Sequence, residues 1–261
     1  MLRSMKDLEG FSIGATDGTI GAVQDFYFDD EAWVIRYLVV DTGDQRKDRT
    51  VLISPIAILE PDWSKKLFPV SMTQHQVMAS PDIDTKKPVS RQQEMGYLGY
   101  YGYGNYWGGG GLWGAGFYPD ILQGGLAPQP AAGSGSAGHA HDDHHLRSGN
   151  NVMRYYVHAS DGDIGHVQGF LIDEKSWAIR YIIVNTSNWW LGHQVLVAPE
   201  WIDDVSWAES MVSIGLTRES IKTSPVYDAK HPLTREQETG IHTHYGRAGY
   251  WSREQQRANA K

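Results

Sequence analysis

Four histidines stand close together at His139, His141, His144 and His145, with Asp142 and Asp143 among them. Imidazole nitrogens beside carboxylates suit divalent Ni or Zn. Their flanks are Gly, Ala and Ser, which offer nothing to orient the rings. The tract therefore predicts weak, adventitious Ni or Zn binding at a solvated segment, and no resident cofactor. Other catalytic patterns fail on context. Gly-Ser-Gly-Ser at 133–136 has no strand before it and no helix after it, so a nucleophile elbow is missing. GGGGLWGAG lacks the Lys of a phosphate loop. The chain has no Cys, which removes thiol nucleophiles, disulfides and cysteine metal sites. Asp17, Asp161 and Asp163 lack a calcium ladder closing on Glu and read as turn residues. No enzyme is expected.

Two cations carry more information. Arg36 and Arg180 each sit in the middle of an apolar run, WVIRYLVV and WAIRYIIV. A desolvated guanidinium needs a carboxylate fork. Either an anion or partner peptide supplies it, or an acid such as Glu94 or Glu238 does so and pins a terminal helix. Trp189, Trp190 and Leu191 stand where Gln45, Arg46 and Lys47 would align, and such an aromatic patch reads as a contact surface.

That alignment follows from an internal duplication. Residues 10–107 match 154–251 at an offset of 144, without gaps, with 34 identities in 98 positions. The shared positions include Asp17-Gly18 with Asp161-Gly162, Gly21 with Gly165, Trp33 with Trp177, Tyr37 with Tyr181, and Trp63 with Trp207. The expected organisation is repeat one over 1–107, a Gly/Pro/His-rich flexible linker over 108–149, repeat two over 150–251 and a polar tail over 252–261. The duplicated Trp residues read as core.

The elements follow the same logic. Asp-Gly marks tight turns. In WVIRYLVV, Trp33, Ile35, Tyr37 and Val39 share one face of a strand, and Val34, Arg36, Leu38 and Val40 share the other. Both faces are apolar apart from Arg36, so the strand is expected to be covered on both sides, with the sister copy as the nearest cover. TVLISP and QVLVAP, then LFPVSM and MVSIGL, read as further strands. Thr73 and Thr217 start short helical turns that Ser80-Pro81 and Ser224-Pro225 stop. Ser90-x-x-Gln93 and Thr234-x-x-Gln237 read as capping boxes opening short terminal helices. The fold class expected is all-β: two small barrels of about six strands, each followed by a helix and packed as an intrachain pseudo-dimer.

Asp-Gly-x-Ile-Gly-x-Val-x-x-Phe-x-x-Asp, then Trp-x-Ile-Arg-Tyr-x-x-Val, then Val-Leu-x-x-Pro, resembles the PRC-barrel domain, twice over. The family includes the cytoplasmic domain of the photosynthetic reaction-centre H subunit and the C-terminal domain of a ribosome maturation factor. The resemblance implies a six-stranded barrel used for protein contact and assembly. The membrane helix of the H subunit and the RNA-associated first domain of the ribosome factor have no counterpart here, so fold carries over better than role. The expectation is a non-enzymatic interaction module, related to reaction-centre or electron-transfer assembly, with a protein partner and self-association. One alternative is a stress-type metal or small-ligand carrier using the histidines; another is a ribosome-maturation-type factor. A net charge of −8 and pI near 5.7 argue against nucleic acid as a partner. MLRSMKDLEGF has no apolar signal core. No run approaches the ~18 apolar residues of a membrane span. The expected setting is soluble, cytoplasmic and bacterial, with contact to a membrane complex only from its surface.

Overall fold

The computed structural model describes residues 1–43, 50–81, 89–107, 109–123, 145–186 and 193–252. The described residues are mostly β, in two sheets, and neither sheet closes on itself. The first repeat runs β1 (Leu2–Ser4), α1 (Met5–Leu8), β2 (Ser12–Ala15), β3 (Gly18–Asp29), β4 (Val34–Asp41), β5 (Thr50–Ile53), β6 (Leu67–Pro69), α2 (Gln74–Met78) and α3 (Arg91–Tyr101). The second runs β7 (Leu146–Ser148), α4 (Gly149–Val152), β8 (Tyr156–Ala159), β9 (Gly162–Asp173), β10 (Ile179–Asn185), β11 (Gln194–Val197), β12 (Ile202–Ser206), β13 (Met211–Ile214), α5 (Arg218–Lys222) and α6 (Arg235–His244).

Two compact units form, and their boundaries do not follow the repeats. The N-terminal unit comprises Ser4–Asn151 together with Ile172–Ile179. The C-terminal unit comprises Met1–Arg3, Val152–Leu171 and Arg180–Lys261.

In the N-terminal unit the strand order is β5-β4-β3-β2-β6, with β7 added on β3. β3 is long enough to serve two partners along one edge. Its first half pairs β2, and Tyr27, Phe28 and Asp29 pair Ser148, Arg147 and Leu146 of β7. β4 is buried from Val34 to Val40, Arg36 included, as its doubly apolar pattern predicts. The close approach of β3 to β4 needs Gly21: a Cβ there would lie 1.9 Å from the Asp41 carbonyl oxygen. Gly165 stands in the same relation to Asn185 in the C-terminal unit.

The C-terminal unit repeats the plan as β11-β10-β9-β8-β13-β12, with β1 on β9. The capping boxes of α3 and α6 form as expected, with Ser90 and Thr234 accepting from the Gln93 and Gln237 amides. Thr73 and Thr217 cap α2 and α5 likewise.

Trp33 and Trp177 differ from the expectation. Each precedes its strand and adopts a left-handed backbone, φ 54° and 59°. That region is unfavourable for a bulky side chain. Trp33 is held there because its amide donates to the Asp29 carbonyl at 2.7 Å, and Trp177 is held by Asp173 at 2.8 Å. The Asp29 and Asp173 side chains brace the same turns by accepting two backbone amides each. Trp177 is buried, whereas Trp33, Trp63 and Trp207 are half-buried; Trp33 stacks on Phe28, Trp63 meets Phe11 and Phe68 edge-on, and Trp207 packs tilted against Tyr155.

Residues 109–123, expected as part of a linker, are instead packed. Trp113 is wholly buried, and the Gln123 amide donates to the Ile56 carbonyl. An aromatic side chain that finds both an apolar site and an acceptor for its N–H orders the chain around it.

Candidate functional site

Arg36 is the hub of a buried polar cluster in the N-terminal unit. β4 carries it inward, and it is 2% exposed. One guanidinium nitrogen donates to the Leu112 carbonyl at 2.7 Å and the other to Asp29 Oδ2 at 3.2 Å. Its plane lies 3.8 Å from the ring centre of Tyr106 and 4.8 Å from that of Trp113. The carboxylate partner expected to be Glu94 is therefore Asp29, which takes one guanidinium nitrogen while the Leu112 carbonyl takes the other, so no two-bond fork forms. Glu94, on α3 and 0% exposed, accepts instead from the Tyr106 hydroxyl at 2.5 Å and meets His145 Nε2 at 2.6 Å. Arg36 reaches α3 through the Tyr106 ring, on which Arg91 also sits at 5.4 Å.

The charges hold one another in place. Burial works against the Asp29 carboxylate, but Arg36 and the Ala32 and Glu31 amides outweigh it and hold the carboxyl below its ordinary range. Burial pushes the Tyr37 and Tyr106 phenols well up, reinforced by the facing Glu94. At Asp30 burial wins, and its carboxyl is raised despite Arg147 at 2.7 Å.

The C-terminal unit rebuilds the same core with different parts. Arg180 lies 3.9 Å over Tyr250. Glu238 accepts from the Tyr250 hydroxyl at 3.0 Å and pairs with Arg235 at 2.9 Å. Arg235 spans Tyr250 and Trp251 as Arg91 spans Tyr106 and Trp107. The duplicated Arg-x-x-Glu and Tyr-Trp pairs thus clamp the terminal helix. The imidazole comes from elsewhere: His242 of α6 meets the Tyr181 hydroxyl at 3.0 Å.

The other sequence-derived residues fall as follows. Asp17 and Asp161 turn the chain ahead of β3 and β9, and also accept the first amides of α2 and α5, Gln74 and Arg218, at 2.7 Å each. Gly18 and Gly162 occupy the turns with positive φ. Tyr37 and Tyr181 are buried beside Glu94 and Glu238. His139, His141, His144, Trp189, Trp190 and Leu191 lie outside the described residues. His145 is committed to Glu94 rather than to a metal cluster. Among the described residues no group of three or more His, Asp or Glu side chains could hold a metal ion.

The sequence names the sister copy as the nearest cover but does not say which segments of repeat two enter the N-terminal unit. The Ile35 amide donates to the Trp177 carbonyl and the Ile179 amide to the Trp33 carbonyl, each at 2.8 Å, around the antiparallel pair Val34–Ala178. Trp113 Nε1 donates to the Ser176 carbonyl at 2.8 Å, and the Trp177 ring packs on Phe68. Arg147 and Ser148 of β7 bind Asp30 and Asp25. A signal was present: Leu2-Arg3-Ser4 recurs as Leu146-Arg147-Ser148 at the offset of the repeat.

Beside β7 lies an open polar cleft of about 830 Å³, lined by Glu9, Gln24, Asp25, Thr50 and Asn150 among others. Burial raises the Asp25 carboxyl although Ser148, Phe26 and Asn150 donate to it. Burial, then Asp25, raises Glu9. Among the described residues no helix is long and apolar enough to cross a membrane. No family model and no curated protein matches the chain.

Proposed function

We propose that the chain is a non-enzymatic interaction and assembly module built from two repeats of PRC type. The observation that carries this reading is the make-up of the N-terminal unit, in which strands of repeat one take up β7 and the Trp177 turn of repeat two by backbone pairing. Strand addition of this kind is a general route to protein recognition, because main-chain bonds supply affinity and a few pockets supply selectivity. The buried charges support the same reading, since Arg36, Asp29, Glu94 and His145 are spent on one another. A role in assembling a reaction-centre or electron-transfer complex follows from the family resemblance. A carrier role through the histidine tract is the weaker reading, because His145 already belongs to Glu94.

The test is capture of the tagged full chain from its source cell after cross-linking, with mass spectrometry. Protein cross-links placed on strand edges of the described units are the expected result. A chain recovered alone, and shown by metabolite profiling to turn over a small molecule, would overturn the reading.

A further inference from the structure

The contact between Trp33–Ile35 and Trp177–Ile179 maps onto itself when the repeats are exchanged. The offset of 144 converts Ile35 N–Trp177 O into Ile179 N–Trp33 O, and the two bonds have the same length, 2.8 Å. Val34 and Ala178, the pair between them, are themselves equivalent positions. Such a contact is isologous: each half offers what the other accepts. β7 on β3 and β1 on β9 obey the same exchange, through the same Leu-Arg-Ser triplet. A self-complementary contact does not depend on whether its halves belong to one chain or to two.

Repeat one alone leaves the N-terminal unit incomplete. His145 answers Glu94, Arg147 answers Asp30, Ser148 answers Asp25, and the Ser176 carbonyl answers Trp113. Any chain that supplies 145–151 and 172–179 can supply these groups. Between Gln123 and His145 the sequence is rich in Gly, Ala, Ser and Pro. Its fully extended reach is roughly 70 Å at ~3.3 Å per residue. A connection of that length restrains the exchange without forbidding it.

We infer that a second copy of this chain can replace repeat two in the N-terminal unit, giving a dimer in which repeat one of each copy is completed by repeat two of the other. This rests on the interaction-module reading and names the partner.

The chain has no cysteine of its own, so cysteines can report the pairing. Opposed residues of an antiparallel pair without mutual hydrogen bonds stand ~4.5 Å apart at Cα, within the span of a disulfide. Full-length Val34→Cys and Ala178→Cys chains are unfolded, mixed, refolded together at about millimolar concentration and oxidised. The expected product is a disulfide-linked pair at twice 29.2 kDa, absent when either variant is refolded alone. If no linked pair forms while the Val34→Cys/Ala178→Cys double variant closes an internal disulfide, exchange between copies is refuted and the interaction reading stands. If the double variant also fails to close although folded by circular dichroism, the contact is refuted and the interaction reading loses its carrying observation. Should the cysteine variants not fold, unmodified chains bearing two different tags are co-refolded under the same conditions. Co-capture supports the exchange, and its absence refutes it.

Discussion

Replacing Arg36 by Met isolates what the buried guanidinium does, because Met keeps much of the side-chain volume while removing the charge. Asp29 would lose its ionic partner with its side chain only 5% exposed, keeping the Glu31 and Ala32 amides. The Leu112 carbonyl would lose a donor at 2.7 Å, and Tyr106 and Trp113 would lose the cation on their faces. Breaking one side of a buried ion pair costs about 3–5 kcal/mol. With a tenfold change for each ~1.4 kcal/mol, that is about 10²- to 4 × 10³-fold faster opening wherever the cluster governs it. The assay is amide exchange read by mass spectrometry over 34–41 and 109–116, which localises the loss in a chain of two units where one global unfolding energy is ill defined. Adding Asp29→Asn should return part of the loss, since the orphaned charge is then gone, and the non-additivity measures the pair. Exchange within threefold of the parent, or strict additivity with Asp29→Asn, would refute the account. Protection lost only over 90–107 would favour the direct Arg36–Glu94 fork instead.

Gly21→Ala drives a Cβ into the Asp41 carbonyl, so urea denaturation should show a loss of about 1–3 kcal/mol or more. Gly96→Ala, in α3 with nothing within 4 Å, should gain about 0.5–1 kcal/mol in the same assay. Burial holds Glu238 above its ordinary value of 4.5 against the pull of Arg235, Tyr250 and Tyr181. Its contribution is therefore fully present below that value and is lost as pH rises through the folded one. Glu238→Gln should flatten that fall in the urea midpoint of the C-terminal unit, and an unchanged slope would count against it. Asp29 has the opposite sign: its carboxyl is lowered, so the stability it adds is lost as pH falls through the folded value, and Asp29→Asn should remove that acid limb.

Local structure was legible where one physical signal dominates. The capping boxes at Ser90 and Thr234, the Asp-Gly turns and the doubly covered β4 follow from side-chain chemistry and period alone. β1 and β7 escaped notice because three residues carry too little periodicity to announce a strand, and only the recurrence of Leu-Arg-Ser marks them. The left-handed backbone at Trp33 and Trp177 was illegible because composition favours a strand there, while two carbonyl acceptors at Asp29 and Asp173 override that preference. Trp113 was hidden by its setting: Gly-rich neighbours suggest a solvated tether, yet Arg36 and the Ser176 carbonyl recruit it. Residue type calls for a carboxylate beside Arg36 but does not say which, since spacing alone does not separate Asp29 from Glu94 when both are buried near it.

The pairing of Val34 with Ala178 has a consequence for inheritance. In a dimer of identical chains, one mutation at such a contact strikes twice, and neither side can be altered without altering the other. Once both sides are written in a single gene, each answers to its own codon. The two halves have used that freedom. Val34 is larger than Ala178, and His145, whose imidazole meets the buried carboxylate Glu94, aligns at the offset with the exposed Met1. Duplication here has preserved the backbone geometry of a symmetric handshake while releasing its side chains to diverge.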